Sequence, residues 1–173
     1  MSGILRFWFA PVLLLVGGVL LSAVVDSDDA VDLPYKFYQY QGAGAGFGAG
    51  GYDVVAYFDQ TDAVRGKPHI KAQFGGEEWL FDTVENREKF IKAPERYIPQ
   101  YGGHCAYAVS RNYEFYGDPK AWTVRGGKLY FNANTSVRRQ WLPNVNDDED
   151  GDRFIARSDE NWRRFVTTGK FDI

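Results

Sequence analysis

Sulfur and imidazole are scarce in this chain: Cys105 is its one cysteine, Met1 its one methionine, and His69 and His104 its two histidines. A single thiol excludes an internal disulfide framework and every multi-cysteine zinc pattern. Two imidazoles exclude a histidine-rich metal store, and the lone Met1 excludes a thioether-lined copper site. There is no long basic run, and the net charge is −3, which argues against a dedicated nucleic-acid partner. Aromatic residues, by contrast, make up 17% of the chain within a hydrophobic content of 45%. That richness excludes a disordered or collagen-like polypeptide.

The first 25 residues read differently from the remaining 148 of the 173. Phe7 to Val25 is a run of 19 residues without a charge, after Arg6. As a helix it would be roughly 28 Å long, close to the hydrocarbon thickness of a bilayer. Residues 1–25 are therefore expected to be a transmembrane anchor or uncleaved signal, with a cleaved signal as the alternative reading through Ala23. Pro11 lies inside the span, which membrane helices tolerate. Arg6 flanks one end, and Asp26, Asp28, Asp29 and Asp32 follow the other. Positive charge stays cytoplasmic, so the C-terminal domain is expected to face outward. In a Gram-negative cell this means a single-pass inner-membrane protein with its domain in the periplasm.

Residues 26–51 read as an acidic and Gly-rich tether, flexible by composition. Gly46, Gly48 and Gly51 fit G-x-G-x-x-G, but no buried strand precedes them and no helical pattern follows, so a linker is the better reading. Residues 52–173 form the folded domain. Strands are predicted at Tyr52–Phe58, His69–Phe74 and Glu78–Phe81, and a helix at Val84–Lys92, capped by Asp82 or Thr83 and stopped by Pro94. Trp122–Phe131 reads as a hairpin through Gly126-Gly127. A short helix is expected near Ser136–Leu142, and a last helix near Asp152–Val166 with Phe154, Ile155, Ser158, Trp162 and Phe165 as its inward stripe. The fold class is α+β: a small antiparallel sheet with packed helices.

One block of this pattern is distinctive: Tyr97-Ile-Pro-Gln-Tyr101-Gly-Gly-His104-Cys105-Ala-Tyr107-Ala-Val109. With Tyr52-Asp-Val-Val-Ala-Tyr57-Phe58, Phe81-Asp-Thr, Asp118-Pro119, Trp122 and Gly127-Lys-Leu-Tyr130-Phe-Asn132, it resembles the YHS domain family in its membrane-anchored or secreted bacterial branch. The likeness runs through roughly residues 52–165. It implies a YHS-like fold and a role in metal binding, since such modules accompany copper-transporting ATPases and some oxygenase components. Relatives carry Tyr where this chain has His104, so that position is read evenly as a pocket residue or a tyrosine substitute.

Cys105 is the focal residue. A thiolate suits Cu(I), and His104 or His69 would complete a two- or three-coordinate site. Two other readings stand beside it: a buried thiol acting as a small hydrophobe, and a reactive thiol with a lowered pKa. If residues 104–107 are extended, the side chains of His104 and Cys105 point to opposite faces unless Gly102-Gly103 supplies a bend. His69, at the start of a strand, reads as a surface or hydrogen-bonding residue as readily as a ligand. Tyr57, Tyr101, Tyr107 and Trp122 are candidates to line a ligand pocket beside Cys105, against the plainer reading of core aromatics. The acidic segment from Asn146 mimics half a calcium loop, but its twelfth position is Arg157 in place of a bidentate Glu.

The expected function is a non-catalytic, membrane-tethered periplasmic module that binds or relays a metal ion, copper first. The alternative is a metal-free accessory or scaffold domain that docks on a membrane protein complex or metal transporter. A thiol-dependent enzyme lacks any visible base and orienting group.

Overall fold

The computed structural model describes residues 33–40, 42, 44–59, 62–146 and 148–171. The expected anchor, residues 1–25, lies outside them. Among the described residues no helix is long and apolar enough to cross a membrane. In chain order the elements are α1 (Ala56–Asp59), β1 (Lys67–Phe74), β2 (Glu77–Phe81), α2 (Val84–Lys92), α3 (Pro94–Tyr97), α4 (Ala106–Ser110), β3 (Asp118–Arg125), β4 (Lys128–Asn132), α5 (Thr135–Asn146) and α6 (Asp148–Thr168). The class is α+β. Its β structure is two separate antiparallel pairs, β1–β2 and β3–β4, where one sheet was expected.

Two sequence expectations fail, one through a local hydrogen bond and one through a long-range contact. Tyr52–Phe58 is a turn leading into α1, because Asp53 Oδ1 accepts from Val55 N at 2.9 Å and Ala56 N at 3.2 Å. A short acceptor side chain claims the amides that a strand ladder would have used. The described part of the tether is also packed against the domain. Phe37 is buried and meets Trp79 edge-on at 5.0 Å, and Gly48 is pressed so close that an added Cβ would lie 2.5 Å from the Trp79 ring. Aromatic side chains set among glycines draw that stretch onto the core.

The other elements follow their sequence signals. Thr83 Oγ1 accepts from Asn86 N and opens α2, with Glu85 in its first turn and Lys89 and Lys92 in its last. Gly126 and Gly127 take positive φ of 55° and 71° at the turn between β3 and β4. The main core joins Val54, Val55, Tyr57, Trp79, Phe81, Phe90, Leu129 and Phe131. Each such side chain contributes about 1.5–3 kcal/mol on burial. A second cluster holds Tyr101, Tyr130 and Trp141 beneath Phe154, Ile155 and Trp162 of α6. Asn161 of α6 donates to Val109 O at 2.8 Å, tying that helix to α4.

Among the described residues, 49–86 and 101–137 repeat one arrangement, displaced by 51 to 52 residues. Each copy starts with a turn in left-handed backbone, at Ala49-Gly50-Gly51 and at Tyr101-Gly102-Gly103. The amides of Asp53 and Cys105 then donate to Val64 O and Phe115 O, both at 2.9 Å. Isolated bridges pair Tyr52 with Arg65 and His104 with Tyr116. Each hairpin turns on Gly-Gly, and each breaks register at the same place, between Lys67 and Lys71 and between Asp118 and Trp122. Thr83 and Asn134 cap the helices that follow, by accepting from Asn86 N and Val137 N. Gly66 and Gly117 are matched as well. A Cβ on either would come within 2.4 Å of backbone, Leu80 C for the first and Gly103 O for the second.

Candidate functional site

The duplication places Cys105 at the station of Asp53. In the first unit Asp53 is fully buried, and beyond Val55 and Ala56 its Oδ2 accepts from Asp82 N at 2.9 Å and Asn86 Nδ2 at 2.8 Å. One carboxylate therefore ties the turn, the end of the hairpin and the following helix together. In the second unit Cys105 is 1% exposed and packs with Ala108, Ala133 and Val137. Ala133 and Val137 stand where Asp82 and Asn86 stand in the first unit. The same junction is built on a carboxylate in one copy and is largely apolar in the other, where the buried Asn132 amide is its polar member. Cys105 is the N-cap residue of α4 and makes no side-chain cap bond; its Sγ accepts from Nδ2 of the buried Asn132 at 4.0 Å.

His104 faces another way. His104 and Cys105 are both extended, with ψ of 158° and 114°, so their side chains diverge. The glycine bend falls before this pair, at Gly102 and Gly103. The His104 ring lies against Tyr38, Trp162 and Phe165 at centroid distances of 5.2, 5.4 and 5.8 Å. Its Nδ1 donates to Tyr101 O at 2.8 Å, since a carbonyl only accepts, and its Nε2 meets Glu114 Oε1 at 3.2 Å. Both ring nitrogens thus have protein partners. His69 is exposed on β1, in a hairpin to which neither His104 nor Cys105 belongs. Among the described residues no three His, Cys, Asp or Glu side chains are grouped to hold a metal ion.

The four candidate pocket aromatics do not assemble beside the thiol. Tyr57 is buried, contacts Trp122 at 5.1 Å and donates to Pro119 O at 2.8 Å. Tyr101 donates to Asp159 Oδ1 at 2.9 Å in the second cluster. Tyr107 alone packs against the Cys105 group, and Arg111 donates to its hydroxyl while lying 4.6 Å over its ring. Burial, with Asp159 nearby, pushes the Tyr101 phenol far above its ordinary value and the Tyr130 phenol up to about 12. Burial raises Tyr57 likewise.

A cavity of about 360 Å³ opens elsewhere, walled by Pro34, Tyr35 and Tyr38 on one side and His104, Glu114 and Phe165 on the other. Beside it the segment from Tyr113 to Tyr116 holds three aromatics, Tyr113, Phe115 and Tyr116, at 40–43% exposure, with Phe115 and Tyr116 stacked at 4.4 Å. In the first unit the matching residues are Asp62, Ala63, Val64 and Arg65. The shared unit does not require aromatics there. Glu114, Tyr38 and Asp53 were missed by motif reading, because none sits in a catalytic pattern. The recurrence of Gly50-Gly51 and Gly75-Gly76 as Gly102-Gly103 and Gly126-Gly127 was the available signal for the duplication.

Comparison with protein-family models, with curated proteins and with solved structures finds no match for this chain.

Proposed function

We propose that this protein is a membrane-tethered accessory domain, YHS-like in its motifs, that acts by binding and placement on a membrane protein complex outside the cytoplasm. One observation carries the reading: Asp53, His104 and Cys105, the buried side chains with the most chemical potential, are each engaged within the domain. Asp53 takes four donors, His104 is held between Tyr101 O and Glu114, and Cys105 is buried among Ala108, Ala133 and Val137 with the Asn132 amide on its sulfur. The tether and the outward orientation rest on the uncharged run Phe7–Val25 and its flanking charges. Copper binding retains its soft donor in Cys105, with the Asn132 amide beside it, and among the described residues no three His, Cys, Asp or Glu side chains are grouped to join it.

Isolation of the full chain from membranes in mild detergent, with chemical crosslinking before extraction, tests the accessory role. The expected result is one or more membrane proteins retained in stoichiometric amount. A chain that elutes alone under every such condition contradicts the reading.

A further inference from the structure

We infer that the exposed aromatic segment Tyr113–Tyr116 lies on the lipid–water interface of the membrane to which the chain is tethered, an inference that rests on the tethered reading above. Three observations meet here. Only seven residues, 26–32, separate the uncharged run from Leu33, a reach of at most about 25 Å. The described chain then passes Pro34 and Tyr38, which wall the same cavity as Glu114, and the Tyr38 ring lies 6.3 Å from Tyr116. The point where the chain leaves toward the membrane and the aromatic segment are therefore two rims of one cavity, and a short tether brings both to the bilayer together. Tyr113 and Tyr116 expose amphipathic rings of the kind that settle at headgroup level, Phe115 adds an apolar ring between them, and the first unit has no aromatics at these stations. Glu114, the one acid within the segment, is turned to His104 Nε2 instead of standing free, while Lys36 lines the same cavity and Arg111 begins the loop.

The full chain, carrying Cys105→Ala and one new cysteine bearing a nitroxide, is inserted into vesicles of phosphatidylethanolamine and phosphatidylglycerol. Tyr116→Cys reports on the aromatic segment, and Ile91→Cys on α2 of the other unit is the comparison, since Ile91 is also exposed. The expected result is that molecular oxygen relaxes the label at 116 more than a water-soluble nickel chelate does, with the order reversed at 91. A chain that floats with the vesicles while its label at 116 is as open to the chelate as that at 91 overturns the interfacial contact alone. A chain that does not float overturns the tether, and the contact with it. Near-ultraviolet dichroism matching the unsubstituted chain establishes that both labelled variants are folded.

Discussion

Cys105 and Asp53 occupy the same station in two copies of one unit, and each is matched to its surroundings. Around Asp53 stand the amides of Val55, Ala56 and Asp82 and the side chain of Asn86; around Cys105 stand Ala108, Ala133 and Val137. A buried carboxylate is stable only when its lone pairs are used, whereas a buried thiol tolerates hydrocarbon around it and here needs no more than the one weak bond from Asn132. This pairing gives the one cysteine of the chain a physical reason to be where it is.

Removing the carboxylate leaves buried donors without a partner. Asp53→Ala is expected to cost about 3–5 kcal/mol, and Asp53→Asn less because an acceptor remains. Urea unfolding followed by far-ultraviolet dichroism measures both. A loss below about 1 kcal/mol for Asp53→Ala would show that the hub is dispensable.

Exchange of the two junctions should show coupling. Cys105→Asp alone is expected to destabilise, since it buries a carboxylate against Val137. Adding Val137→Asn restores the donor that Asn86 supplies in the first unit and recovers about 1 kcal/mol or more. A double-mutant cycle gives the coupling directly. Strict additivity would mean that the stations are not equivalent.

The matched glycines make a paired prediction. Gly66→Ala and Gly117→Ala each drive a Cβ within 2.4 Å of backbone that has little room to retreat. Losses of about 2 kcal/mol or more are expected for both, comparable in size, in the same unfolding assay. If only one of the two is sensitive, the backbone approach is not a shared feature of the units.

Much of the fold was legible in the sequence. Thr83, Pro94 and Gly126-Gly127 act locally, and the structure follows them at α2 and the second hairpin. The stripe on α6 was legible through its period. Two readings failed for different reasons: Asp53, bonding the amides two and three residues on, overrides the β-prone composition of Tyr52–Phe58, and the distant Trp79 draws Phe37 and Gly48 out of an apparent linker. At the candidate site the geometric rule was legible and its outcome was not. Extended backbone separates His104 from Cys105, but only the structure locates the glycine bend before that pair. Glu114 and the cavity were invisible because their partners are far apart in sequence.

Alkaline pH should weaken the fold. An ordinary phenol loses its proton near pH 10 in the unfolded chain, whereas Tyr130 holds its proton to about 12 and Tyr101 beyond that. The native state then binds more protons than the unfolded one, so stability is complete below pH 10 and falls as pH rises past it. Thermal melts between pH 8 and 12 are expected to show this fall, and Tyr101→Phe is expected to lessen its slope. A flat profile in the unsubstituted protein would contradict the burial of these phenols.

The accessory reading proposed above takes Cys105 as a packing residue. Competition for Cu(I) against a chromogenic chelator, with the unsubstituted protein beside Cys105→Ala, addresses it most directly. The account predicts that the two proteins withdraw the same small amount of copper, with the thiol reacting with iodoacetamide only after denaturation. Tighter copper binding by the unsubstituted protein, lost in Cys105→Ala, would contradict it.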